Sequence, residues 1–472
     1  MSQEIEKRIE RITNSLLPDT CFKNVYGDEA TLIDRMKHYH TPGVSIAVIN
    51  NFKIEWARGL GIREVGNPDP ITENTLFQAG SISKPVFALA IMQLVQEGKL
   101  NLDKDVNEYL KSWKIPANGN WQPKVTLRQL LSHSAGLTVH GFSGYEVTDV
   151  IPSVIQILNG QHPSNTPAIR VNLIPGLQSR YSGGGTTVAQ QLLVDFLNKP
   201  FPEIMNQLLF EPLGMTNSTY EQPLALRLRE SAATAHPWKS RPVNGKWHVY
   251  PEMAAAGLWT TPSDLARLGV ELQLSLKNES KLPISVDTLN QMLTAQVEDH
   301  IGLGFFLEGK GENARFGHGG WDEGFVARMT LYKHQGFGAV IMINSNQGSP
   351  MISEIERAIA REYSWPEYFP AEKADVRLAH HTLDEYVGEF LIASGLEVTI
   401  TKNDDFLYLQ VKGQSPIKLF PESETKFFTE AVNAEVTFEK NGEGKTTALI
   451  IHQEGKKFTA KRKSARGLNG ER

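Results

Sequence analysis

The β-prone runs of this chain fall on both sides of a long helical stretch, and few architectures satisfy that order. Near the start, Val44-Ser45-Ile46-Ala47-Val48-Ile49 and Phe52-Lys53-Ile54-Glu55-Trp56-Ala57-Arg58-Gly59 flank Asn50-Asn51 and read as a hairpin. Residues 85 to about 290 carry helical patterns broken by Pro and Gly loops, at 127–131, 186–197, 201–209 and 262–274. The stretch 140–167 is mixed and loop-like, suited to shaping a pocket rim. Strands return at 314–317, 325–332 and 338–343, followed by a helix over about 351–363. Strands this far apart in sequence are best reconciled in one sheet. The expected fold class is α+β: an antiparallel sheet flanked by terminal helices, with an inserted α-rich lobe.

The character changes at Trp365-Pro366-Glu367-Tyr368-Phe369-Pro370. From Leu383 onward the pattern is short strands (397–401, 406–411, 418–420, 426–429, 435–439, 448–452, 457–461). Tight turns stand between them, at Asn403-Asp404, Lys412-Gly413, Asn441-Gly442 and Glu454-Gly455. About eight short strands in so few residues predict a small closed or nearly closed all-β barrel. The expected division is therefore a first domain over 1–372, with its core at about 28–363, a barrel over 380–463, and a disordered basic tail over 464–472.

Composition narrows the partners. A net charge of −5 gives no reason to expect nucleic acid or an anionic membrane. The first twelve residues are charged and amphipathic with no apolar core, so a cytoplasmic protein is expected rather than a secreted one. No run has the length of a membrane span. The single cysteine, Cys21, excludes an intrachain disulfide and leaves no cysteine cluster for zinc. The pairs His38/His40 and His380/His381 lack companion ligands, and no H-E-x-x-H occurs, so neither metal nor other cofactor is expected. Gly304 to Gly311 imitates a phosphate loop but has Gly311 where Ser or Thr is needed; Gly444-Lys445-Thr446 has Glu439 where the first glycine belongs. No G-x-S-x-G is present, which argues against an α/β-hydrolase.

The chemistry centres on Ser81-Ile82-Ser83-Lys84, between a strand end at 75–80 and an apolar helical run from Pro85 to Val95. Pro85 fits only a first helical turn, so the helix starts near Ser81, and Gly98 supplies its stop. Positions i and i+3 share a helix face, which sets the Lys84 amine beside the Ser81 hydroxyl. A serine beside an amine is a candidate nucleophile with its base, although serine at a helix start is most often a cap. The same spacing recurs at Ser415-Pro416-Ile417-Lys418 and Ser423-Glu424-Thr425-Lys426, but among strands, where i and i+3 point to opposite faces.

Two further stretches supply partners: Arg180-Tyr181-Ser182-Gly183-Gly184-Gly185, and Phe316-Gly317-His318-Gly319-Gly320-Trp321. Singly, Tyr181 reads as a packing tyrosine and His318 as a turn residue. In this order the three stretches resemble the serine β-lactamase and penicillin-binding-protein family, in particular the class C β-lactamase-like hydrolases that include D-aminopeptidases and esterases. The phrases around 126–137, 209–215 and 257–266 match too, and the resemblance covers about 28–363. The tail after 380 resembles the lipocalin-like domain attached to some of these hydrolases.

The resemblance implies that Ser81 forms an acyl-enzyme which water hydrolyses, with Lys84 and Tyr181 sharing the proton work and Tyr181 the main acceptor. The backbone N–H groups of Ser81 and Trp321 would hold the oxyanion, and His318, Gly319, Gly320 and Trp321 would bind substrate. Two departures bear on the substrate. Gly183 stands where the second motif usually has Asn, and His318 where the strand motif usually has Lys. A histidine anchors a carboxylate weakly at neutral pH. The expected activity is hydrolysis of amide bonds in small peptides or peptide-like substrates. A carboxylesterase or weak β-lactamase on the same residues is the enzymatic alternative, and a non-catalytic binding or assembly relative the other. The barrel is a candidate for capping the pocket, binding a ligand or joining subunits into a homo-oligomer.

Overall fold

The computed structural model describes residues 2–17, 20–22, 30–368, 371–373, 376–393, 395–403, 405–429, 434–453 and 456–463. The expected tail at 464–472 and parts of the turns at 403–404 and 454–455 lie outside the described residues. The chain forms two units, Met1–Asn14 with Thr31–Tyr368, and Ser15–Ala30 with Phe369–Arg472.

The first unit is built on a seven-stranded antiparallel sheet. Its strands are β1 (Gly43–Asn50), β2 (Lys53–Glu64), β3 (Asn67–Pro70), β4 (Phe306–Glu308), β5 (Arg315–Asp322), β6 (Phe325–Tyr332) and β7 (Gly338–Ile343), in the order β3-β2-β1-β7-β6-β5-β4. Strands from the two chain ends thus meet at β1·β7, with Ile49 opposite Gly338 and Val44 opposite Ile343. The hairpin turns at Asn51 and Phe52, both at positive φ, one residue later than the Asn pair suggested. Residues along β1 and β7 are almost all buried because both faces are covered. Thr330 bonds Glu356 of the helix Ser349–Glu362 (2.7 Å), while the next residue, Leu331, faces Gly269 of the helix Pro262–Leu276. Successive strand side chains point to opposite faces, so these helices clothe the two sides.

The helix α1 (Ser83–Gln96) is apolar all round and correspondingly buried within the lobe. It follows a short 3₁₀ turn, Gly80–Ile82, that carries Ser81. Ser83 secures this junction. Its hydroxyl donates to the Gly80 carbonyl (2.6 Å) and accepts from the Leu258 N–H (3.0 Å), and its carbonyl accepts from the Tyr220 hydroxyl (2.7 Å). The stretch 140–167 is loop except for one short helix, Val154–Asn159, started by a Ser153/Gln156 capping box.

The second unit contains a closed barrel of eight consecutive antiparallel strands between Gly388 and Arg462; the first, Gly388–Ile392, was not among the strand runs read from sequence. The last strand closes on the first through Phe390 opposite Arg462 and Ile392 opposite Ala460. Phe390, Val398, Ile400, Leu407, Leu419, Phe427, Val436, Phe438 and Leu449 fill the interior, joined by Tyr386, whose ring stacks on Phe438 at 4.2 Å. Side chains occupy the space a ligand would need, which counts against the ligand-binding role considered for this barrel. None of the eight tryptophans lies beyond residue 365, so tryptophan emission follows the first unit alone. Phe438→Ala should cost the barrel roughly 3–5 kcal/mol. The expected result is an early transition in far-UV circular dichroism that tryptophan fluorescence does not register; coincident early transitions in both signals would contradict it.

Candidate active site

Ser81 is placed by a turn that leans against a strand. Ala79 donates to the Leu258 carbonyl (2.9 Å), Gly80 adopts φ +51°, and the chain then winds into α1. A Cβ at Gly80 would overlap the Trp321 backbone, and one at Gly320 would overlap the Ala79 carbonyl oxygen and come within 3.4 Å of the Ser81 nitrogen. Both glycines are therefore required for the approach of the Ser81 turn to β5. This approach brings the backbones at Ser81 and Trp321 into one neighbourhood, as two oxyanion donors require.

The Lys84 ammonium donates to Ser81 Oγ (2.8 Å) and to the Ala255 carbonyl (2.8 Å), and is 4% exposed. Ala255 lies on a short helix, Met253–Ala256, tied at both ends by glutamines. Gln190 accepts from the Ala254 N–H (2.8 Å) and donates to the Pro251 carbonyl (3.1 Å). Gln222 accepts from the Tyr250 N–H (3.2 Å) and donates to the Gly257 carbonyl (2.9 Å). The amine is thus held by a carbonyl whose own position is fixed.

Tyr181 reaches the same place through its ring. Lys84 Nζ lies 4.9 Å from the ring centroid, and the rings of His133 (4.3 Å), His140 (4.9 Å), Phe306 (6.2 Å) and His318 (6.2 Å) surround it. Among the described residues the Tyr181 hydroxyl has no hydrogen bond to Ser81 or Lys84. Tyr181 precedes a helix, Gly183–Leu197, capped by Ser182, whose hydroxyl accepts from the Gly185 N–H (2.9 Å).

His318 and His133 are held neutral. Burial pushes His318 down to about 3, helped by the Lys84 charge, and its Nδ1 sits 2.5 Å from the Gly319 carbonyl oxygen. Burial, with Lys84 and the other two histidines, holds His133 well below the ordinary imidazole range. His133 Nδ1 accepts from the Ser182 N–H (3.2 Å), which leaves the proton on Nε2. Trp321, on the outward face of β5, is 55% exposed.

Sequence reasoning did not single out His133, His140, Phe306, or two fully buried carboxyls, Glu252 and Asp322. His133 lay within the matched phrase at 126–137 without being assigned a role. Extending the strand past Gly317 would have placed Asp322 on the inward face with His318 and Gly320. No local signal marks Glu252. Neither carboxyl has a close hydrogen-bond partner among the described residues, although the Gly80 N–H is directed at Asp322. Burial raises Asp322 well above the ordinary carboxylate range and Glu252 to about 8. Among the described residues no group of three or more His, Cys, Asp or Glu could hold a metal ion, and no helix is long and apolar enough to cross a membrane.

Two substitutions test this geometry. Gly320→Ala should part the Ser81 turn from β5 and lower the melting temperature by several degrees. Gly319→Ala, whose Cβ meets nothing nearer than the Ala327 carbonyl oxygen at 3.9 Å, should melt as wild type; equal melting of all three proteins would refute the close approach. For Glu252, a folded pKa of about 8 lies above the unfolded value near 4.3. Stability is then full below about pH 4 and declines by ~1.4 kcal/mol per pH unit until pH 8. Glu252→Gln escapes that decline, so its melting temperature relative to wild type should climb between pH 4.5 and 8. A difference independent of pH would show that the carboxyl is not held protonated.

Comparison with known proteins agrees with the fold. A family model described as Beta-lactamase matches residues 29–363, and one described as a domain of unknown function (DUF3471) matches residues 372–467. Penicillin-binding protein 4* of Bacillus subtilis (strain 168) is 23% identical over 462 residues, spanning 92% of this chain and 97% of that protein. Among solved structures, the octameric penicillin-binding protein homologue from Pyrococcus abyssi superposes with a TM-score of 0.63 at 22% identity, covering 91% of this chain and 98% of that one. The β-lactamase/D-alanine carboxypeptidase from Yersinia pestis, complexed with citrate, gives 0.54 at 18% identity, covering 70% and 95%.

Proposed function

The chain belongs to the β-lactamase family of serine hydrolases, and from that premise we propose that it cleaves amide bonds of small peptides or peptide-like substrates through an acyl-enzyme on Ser81. The 2.8 Å bond from Lys84 to Ser81 Oγ carries this reading. Lys84 first releases one proton to solvent and becomes a neutral amine. Ser81 Oγ then attacks the carbonyl carbon as its proton passes to that amine, and the carbonyl oxygen takes up negative charge facing the N–H groups of Ser81 and Trp321. Collapse of the intermediate breaks the bond to the leaving amine, which takes a proton through Lys84 and Tyr181. Water then adds to the acyl carbon, the acid departs and Ser81 regains its proton. Lys84 Nζ, 2.8 Å from Ser81 Oγ, is nearer than Tyr181, whose hydroxyl makes no bond to Ser81 among the described residues. We therefore read the deprotonated amine as the first acceptor, where the sequence reading had put Tyr181. Tyr181, packed on Lys84, is the relay to the leaving group.

The substrate reading rests on charge. His318, with its pKa pushed down to about 3, offers no cation to a substrate carboxylate, which turns the site away from carboxypeptidase and β-lactamase chemistry. The Yersinia pestis protein, by contrast, is described as a β-lactamase/D-alanine carboxypeptidase. A carboxylesterase would use the same residues, because both reactions pass through the same acyl-enzyme. A panel of p-nitrophenyl esters, D- and L-aminoacyl anilides and a chromogenic cephalosporin, read beside intact mass, separates these activities. Wild type should gain one acyl mass and favour anilides or esters over the cephalosporin. Ser81→Ala should lose both adduct and turnover, by 10³-fold or more on the order seen for removed nucleophiles; equal turnover would end the assignment.

A further inference from the structure

Gly183 has lost the side chain that the second motif usually carries, and the space has been taken by another part of the chain. A Cβ at Gly183 would lie 2.9 Å from Phe142 Cε2 and 3.1 Å from the His140 carbonyl oxygen. Both residues belong to a strap, 138–142, that crosses the start of the helix Gly183–Leu197. The Ser182 hydroxyl donates to the Thr138 carbonyl (2.8 Å), the Gly184 N–H to the Val139 carbonyl (3.0 Å) and the Gly183 N–H to the His140 carbonyl (2.9 Å). Free N–H groups at a helix start are where an anion would be received. Here carbonyl oxygens of the strap use two of them.

The strap is held under strain. Val139 has φ +65°, a left-handed conformation that a β-branched residue rarely adopts, and His133, under the Tyr181 ring, has φ +56°. Downstream, Tyr145 and Val249 exchange backbone hydrogen bonds of 2.9 and 2.8 Å, which fixes the far end. Strain so pinned persists only where surrounding contacts over-determine it. Its effect is to set Phe142 against Gly183 and His140 against Tyr181, on whose ring Phe306 also stacks.

We infer that the strap makes Phe142 a specificity-determining residue, and that the site selects esters or amides whose acyl portion bears an apolar or aromatic group and no carboxylate. The inference rests on Ser81 acting as the nucleophile. The aromatic walls offer area for a planar apolar group, and the cation against Tyr181, Lys84, is already engaged by Ser81 Oγ and the Ala255 carbonyl. An ionised acyl group would lose its hydration there with no free cation in return.

The test compares p-nitrophenyl phenylacetate, p-nitrophenyl acetate and mono-p-nitrophenyl succinate on wild type, Phe142→Ala, Phe142→Leu and Ser81→Ala, by kcat/KM and by acyl-adduct mass. Wild type should prefer phenylacetate to succinate by at least about 10-fold, the size of effect one apolar group gives in a hydrophobic pocket. Phe142→Ala should lose about that factor for phenylacetate, mainly through KM, while acetate changes little. Phe142→Leu, which keeps apolar bulk for folding, should fall between. Succinate turned over as fast as phenylacetate by wild type, or an equal loss on all three esters in both Phe142 variants, would overturn the inference. Turnover surviving in Ser81→Ala would instead remove the nucleophile, and no turnover by wild type on any ester would count against both readings. A Ser81 adduct formed equally from all three acids would leave the nucleophile standing and remove only the specificity.

Discussion

Everything at the site depends on the contact between the Ser81 turn and β5. Gly80 and Gly320 stand on its two sides: a methyl group on Gly80 would enter the Trp321 backbone, and one on Gly320 the Ala79 carbonyl. That contact joins a helix start from the first hundred residues to a strand more than two hundred residues later. It places the serine, the backbones at Ser81 and Trp321 and the inward face of His318 and Asp322 in one volume. Strands from both chain ends must pair before it exists, so the site inherits its geometry from the whole sheet.

Around this contact the protein keeps charge scarce. Lys84 is the cation held against Ser81, and its neighbours are rings, a carbonyl and groups that burial keeps neutral. Glu252 and Asp322, both buried without close partners, cost stability at neutral pH and are the kind of strained feature that accumulates where chemistry is done. The left-handed Val139 adds backbone strain of the same kind. A site of this character suits an acyl transfer in which charge develops only at the oxyanion, since fixed donors act most strongly where water and competing ions are excluded.

The architecture was largely legible. Period-two runs at 44–59 and 325–343, helical patterns between them and short strands after 383 translate directly into the sheet, lobe and barrel, because periodicity reports which face of an element is buried. The missed first barrel strand, Gly388–Ile392, shows the limit, for its five residues alternate too briefly to stand out. Ser81 and Lys84 were legible because their relation is local, one turn apart on a helix. Tyr181 and His318 were legible only through the order of motifs in a recognised family.

What the sequence alone determined is therefore of short range: the element types, the start of the Ser81 helix, and the absence of Asn at 183 and Lys at 318. Tertiary structure decided what those absences mean. Phe142, forty-one residues before Gly183, fills the space beside it, and burial strips His318 of its charge. Glu252 and Asp322 entered the site unannounced, seventy residues apart. Packing and desolvation depend on which distant groups come together in space, and no local pattern in the chain encodes that distance.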